Sequence, residues 1–135
     1  MIKQSNSKSA EKGLLTPMSK RILIIEDDED ILEILSFILT EEGYDVSTLT
    51  DGNAIDTIGD DLPDLIICDI WLPHRKGTEI CKTLKADPAT SKIPFILIST
   101  AMNLPQIARN CGADAHVEKP FHIQEMVNIV RTYLK

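Results

Sequence analysis

Leu65, Ile66, Ile67 and Cys68 form an unbroken apolar run between Pro63 and Pro73, and the run ends on a carboxylate, Asp69. Four apolar residues closed by proline on both sides are too few for an independent helix, so the run reads as a strand buried on both faces. A carboxylate at the mouth of such a strand is costly unless it is paired or bound to a cation. The run therefore restricts the fold and raises the question of what faces Asp69.

Other segments repeat the pattern. Residues 22–25 are apolar and stop at Glu26, Asp27, Asp28, Glu29 and Asp30, while residues 95–98 are apolar and lead to Ser99 and Thr100. Residues 44–49 alternate and include β-branched side chains, which predicts a second strand, and residues 115–118, before Lys119 and Pro120, predict a fifth. Between the strands, Ile31, Leu32, Ile34, Leu35, Ile38 and Leu39 recur at helical spacing up to Gly43. Helices are further predicted over residues 54–58, 78–85 and 105–110, and a final one carries Ile123, Met126, Val127, Val130 and Leu134 inward. Five strands alternating with five helices predict an α/β fold: a doubly wound parallel sheet covered on both faces. Residues 1–20 are polar and rich in Ser and Lys, and read as a flexible tail ahead of one domain over residues 21–135.

Charge and cysteine usage narrow the function. With 21 acidic and 14 basic side chains the net charge is -7, which repels phosphate backbones and argues against direct nucleic-acid binding. Cys68, Cys81 and Cys111 are widely spaced and form no CxxC pair, so neither a zinc site nor a disulfide framework is indicated, and a cytoplasmic setting fits. Each reads as a small core residue, with a redox role the minor alternative. No apolar run approaches the roughly 18 to 20 residues of a membrane span, so no membrane insertion is expected.

In an open parallel sheet, ligands gather outside the carboxyl ends of the strands. Glu26 and Asp27 follow the first strand, Asp69 the third, Thr100 the fourth and Lys119 the fifth. Carboxylates meeting at one sheet edge suit a hard divalent cation such as Mg2+, and a hydroxyl and an ammonium opposite suit a phosphoryl group. Taken singly, each has a plainer reading. The acidic run equally fits a charged helix N-terminus, Asp69 a turn cap, and Lys119 a surface lysine.

Four motifs in order, ILIIEDDED, DLIICDIWLP with Gly77 eight positions past Asp69, IPFILISTA and GADAHVEKPF, resemble the receiver domain of two-component response regulators from Arg21 to Lys135. The resemblance implies a flavodoxin-like (βα)5 fold with strand order 2-1-3-4-5, and a stand-alone, chemotaxis-regulator-like receiver with no output domain. It implies a signalling phosphoacceptor whose only chemistry is its own phosphorylation and dephosphorylation. Asp69 is then the phosphoacceptor, and Glu26, Asp27, Asp69 and the backbone carbonyl of Trp71 hold Mg2+. Thr100 and Lys119 contact the phosphoryl group, and His116 stands where the family usually has an aromatic switch residue. A sensor histidine kinase or phosphotransfer protein donates the phosphoryl group, a downstream protein effector receives the signal, and phosphorylation-dependent dimerisation is left open.

Several departures from the family pattern stand out. The interval from Thr100 to Lys119 is about three residues short, which predicts a shortened helix or loop after the fourth strand. Trp71 and Met102 are bulky where residues flank the path of hydrolytic water, which predicts slow loss of the phosphoryl group. Two other classes fit parts of the pattern: a receiver-like binding module that is never phosphorylated, and a metal-dependent phosphatase with an aspartyl nucleophile. Against the latter, Trp71 replaces the second acid two residues after the first.

Overall fold

The computed structural model describes residues 19–135, so nearly all of the predicted tail lies outside the described residues. The chain runs β1 (Arg21–Ile25), α1 (Glu29–Glu41), β2 (Asp45–Leu49), a 3-10 helix (Gly52–Thr57), β3 (Leu65–Asp69), α2 (Gly77–Ala86), β4 (Phe95–Ser99), α3 (Leu104–Cys111), β5 (Ala115–Glu118) and α4 (Ile123–Tyr133). All neighbouring strands pair in parallel, in the order β2-β1-β3-β4-β5. That is the flavodoxin-like topology expected from the motifs.

The central strands are apolar without interruption because both of their faces are covered. Leu23, Ile25, Ile66, Cys68, Phe95 and Leu97 point into a core shared with α2 and α3. Their neighbours Ile22, Ile24, Leu65, Ile67, Ile96 and Ile98 point into a second core with Leu35, Leu39, Met126 and Val130 of α1 and α4. Successive strand residues alternate between faces, so a four-residue apolar run supplies both layers at once. The edge strand β2 has no fully buried residue, which is why its sequence alternates instead.

One predicted helix is corrected. The segment expected as a short helix over residues 54–58 is a 3-10 helix over Gly52–Thr57, so the described residues hold four α-helices and this tighter one. Asp51 accepts from Asn53 N and Thr57 Oγ1 donates to Ala54 O, so side chains close the ends of a segment confined between Gly52 and Gly59. Its few residues leave no room for successive i to i+4 bonds. The helix after β4, α3, has eight residues. Pro105 sits in its first turn and Gly112, with φ 86, ends it in the left-handed conformation.

Candidate functional site

Parallel register brings the sequence-selected residues to one edge. Ile25 pairs with Cys68 and Asp69 with Ile98, so Glu26 emerges beside Asp69 where β1, β3 and β4 end together. Glu26 is fully buried and Asp69 is 6% exposed, whereas Asp27 is exposed. One carboxylate oxygen from each lies within 4.8 Å of the other two. The fifth strand delivers Lys119, whose Nζ lies 2.8 Å from Glu26 Oε1 and 3.2 Å from Asp69 Oδ2.

The acidic run 26–30 divides its labour. Asp28 caps α1, accepting from the backbone N–H groups of Asp30 and Ile31, and Glu29 and Asp30 occupy the first turn, where the helix dipole favours acids. Glu26 and Asp27, one turn earlier, face Asp69 instead. The later residues of the run thus serve the helix N-terminus, while its first two lie beside Asp69.

The electrostatics are unbalanced. Burial, with repulsion from Asp69, outweighs the attraction of Lys119 and raises the Glu26 carboxyl from 4.5 to about 7. For Lys119, burial acts downward but is overcome by Glu26 and Asp69, so its ammonium is held above its ordinary value. The contact between Lys119 and Glu26 Oε1 is close but poorly directed, and that buried oxygen has no aligned hydrogen-bond donor. Three hard oxygen ligands, one lacking a donor, fit a small divalent cation.

A turn behind Asp69 fixes its position. Asp69 Oδ1 accepts from Ile70 N at 2.7 Å, and Gly77 N donates to Ile70 O at 2.8 Å, folding the loop back on the strand end. A β-carbon at Gly77 would lie 2.0 Å from the Asp69 carbonyl oxygen. Only glycine allows this approach.

The remaining sequence-selected residues fare unequally. Trp71 lies in the loop after Asp69, 58% exposed, with Lys76 Nζ 5.1 Å from its ring centroid, a cation–π distance. Met102, just past the end of β4, is 98% exposed. His116 is exposed on the edge strand β5. Thr100 is exposed just past β4, while Ser99 before it is fully buried, with Oγ accepting from Ala101 N at 3.1 Å. The backbone of Ser99 also accepts from Lys119 N at 2.9 Å. Sequence reasoning passed over Ser99; counting β4 one residue longer from Pro94 would have singled it out.

Residues 22–131 match the family model described as the response regulator receiver domain. The DNA-binding response regulator MtrA of Mycolicibacterium smegmatis is 33% identical over 121 residues, which cover 87% of this chain and 52% of that protein. The chain thus spans about half the length of this curated relative. A CheY-like response regulator receiver domain protein from Methanospirillum hungatei superposes with a TM-score of 0.78 at 29% identity, over 87% of this chain and 94% of the other. The receiver domain of the sensor histidine kinase PA1611 from Pseudomonas aeruginosa, solved with a magnesium ion coordinated in its active-site cleft, gives a TM-score of 0.78 at 21% identity, covering 87% and 98% of the two chains.

Proposed function

Because this chain belongs to the response regulator receiver domain family, we propose that Asp69 accepts a phosphoryl group from a phosphohistidine, with Mg2+ held by Glu26, Asp27, Asp69 and the Trp71 carbonyl. The observation that carries this reading is the triangle of carboxylates within 4.8 Å, joined by one lysine to both of its buried members. The magnesium in the Pseudomonas receiver domain supports the choice of ion.

A carboxylate oxygen of Asp69 attacks phosphorus, the nitrogen–phosphorus bond of the donor imidazole breaks, and an acyl phosphate remains. Such transfers need in-line positioning and neutralisation of charge more than covalent help. Bound among the acids, the cation supplies most of that neutralisation. Ile70 N holds one oxygen of Asp69 and so orients the other. Lys119 keeps its proton throughout and offsets the charge that the phosphoryl group adds. A hydroxyl at the end of β4 then closes on the phosphoryl group. Thr100 takes that role in the motif reading, and burial makes Ser99 its competitor.

Movement of that hydroxyl couples phosphorylation to α3 and β5, and His116 is the edge side chain that follows it. Trp71, next to the acceptor, slows attack by water on the acyl phosphate. In this reading the donor is a cytoplasmic sensor histidine kinase or phosphotransfer protein, and the output is contact with a downstream protein.

The test is intact mass after incubation with acetyl phosphate, with Mg2+ or with EDTA, for the wild type and Asp69→Asn. One phosphoryl adduct that requires Mg2+ and is lost in the variant is expected. Absence of an adduct from folded wild-type protein, with Mg2+ and several donors, would refute the proposal and favour a binding module recognised without phosphorylation.

A further inference from the structure

The 3-10 helix and α2 pack on the sheet face that carries Leu23 and Ile66, and a cleft of about 240 Å3 runs between them. Ile55, Ile58, Leu62, Ile80 and Leu84 give it an apolar lining. Three of these, Ile58, Leu62 and Leu84, touch the core on one side and stay partly exposed on the other. Asp56 and Asp87 line it as well, against one cation, Arg75. Arg75 Nη1 lies 3.2 Å from Asp56 Oδ1, yet the Asp56 side chain remains 74% exposed, so the rim keeps negative charge for a second cation. The cleft is smaller than the roughly 300–1,000 Å3 of small-molecule sites, a size that suits the side chains of a peptide segment.

The chain itself reaches the domain at one end of this cleft. The described residues begin at Ser19, and two positions later Arg21 donates from Nη1 to Leu62 O at 3.1 Å and pairs with Asp61 at 2.7 Å. Leu15 stands six positions before Arg21, a span of up to about 20 Å. Leu14 and Leu15 are adjacent, and Lys12 precedes them, an apolar pair and a cation that match the lining and the acidic rim. We propose that the cleft between the 3-10 helix and α2 is the docking site of the chain's own segment Lys12–Leu15. Leu14 and Leu15 cover Ile58, Leu62 and Leu84, and the Lys12 ammonium faces Asp56 and Asp87. So short a tether holds the segment at an effective concentration of about millimolar, so that burial of two leucines fills the cleft without a large interface.

The experiment treats the full chain with a carbodiimide, which joins an amine to a carboxylate it touches, and maps the linked peptides by mass. An equal mixture of unlabelled and isotope-labelled protein separates links within one chain from links between copies. The expected result is a link within one chain from Lys12 to Asp56 or Asp87, in higher yield than any link to those acids from Lys3 or Lys8, which carry the same charge without the leucines beside it. In Leu14→Ser, Leu15→Ser the yield should fall about tenfold, the equivalent of about 1.4 kcal/mol of docking. Links that join only separate copies would assign the cleft to a second molecule and overturn the proposal. Equal yields from Lys3, Lys8 and Lys12, or a yield unchanged in the double variant, would show that charge alone gathers the lysines and would overturn it too. The comparison among the three lysines uses wild-type protein, so it stays decisive if the variant fails to fold.

Discussion

Replacing Glu26 by Gln should stabilise the metal-free protein at alkaline pH, although it removes one partner of an ion pair. Glu26 binds its proton more tightly in the folded protein than in the unfolded chain, since folding raises its carboxyl from 4.5 to about 7. Between those values the folded state carries the extra proton, so the stability of the wild type falls as pH rises through this window and levels off above it. At about 1.4 kcal/mol per pH unit, the loss amounts to about 3 kcal/mol. Gln cannot ionise, so the variant should gain about 2 kcal/mol over the wild type at pH 8 in EDTA. The difference should vanish near pH 5. Urea denaturation followed by far-UV circular dichroism, at several pH values with and without Mg2+, measures it. Subtracting the two proteins at each pH removes every group they share, including the three histidines. Mg2+ should reverse the order, because an ion that binds only the folded wild type adds its own binding free energy to stability. A wild type whose stability in EDTA is level or rising from pH 5 to 7.5, or a variant less stable than it at pH 8, would refute the reasoning.

Gly77→Ala puts a β-carbon 2.0 Å from the Asp69 carbonyl oxygen; relief requires a backbone shift costing about 1–3 kcal/mol, seen as a lower urea midpoint together with reduced phosphoryl acceptance by intact mass. Asp28→Ala removes the α1 cap and should cost about 1 kcal/mol without abolishing the Mg2+ response, by the same urea assay. Ser99→Ala and Thr100→Ala discriminate the two hydroxyls at the end of β4. The variant that loses the phosphorylation-induced change in Trp71 fluorescence while keeping the phosphoryl adduct carries the switching hydroxyl, and burial predicts that it is Ser99.

The layered parallel architecture was legible because each central strand is a continuous apolar run, which only a sheet covered on both faces makes favourable. The carboxylates and Lys119 were legible because they interrupt that pattern at the strand ends. The helix expected over residues 54–58 proved to be a 3-10 helix over Gly52–Thr57, because apolar spacing in so short a segment does not distinguish it from an α-helix. Met102 follows a strand end as Trp71 does, yet sequence order says nothing of exposure, and the two side chains are 98% and 58% exposed.

By itself the sequence determined which residues stand at the sheet's carboxyl edge, since local patterning sets where each strand stops. Tertiary structure alone decided that Glu26 is buried and Asp27 exposed, and that Ser99 and not Thr100 lies inside. Those distinctions depend on register and on packing between elements distant in the chain. The same registry sets the charge balance of the site. A carboxylate's proton affinity follows from the water it has lost and the charges brought beside it, and both are fixed only when β1, β3 and β5 come together.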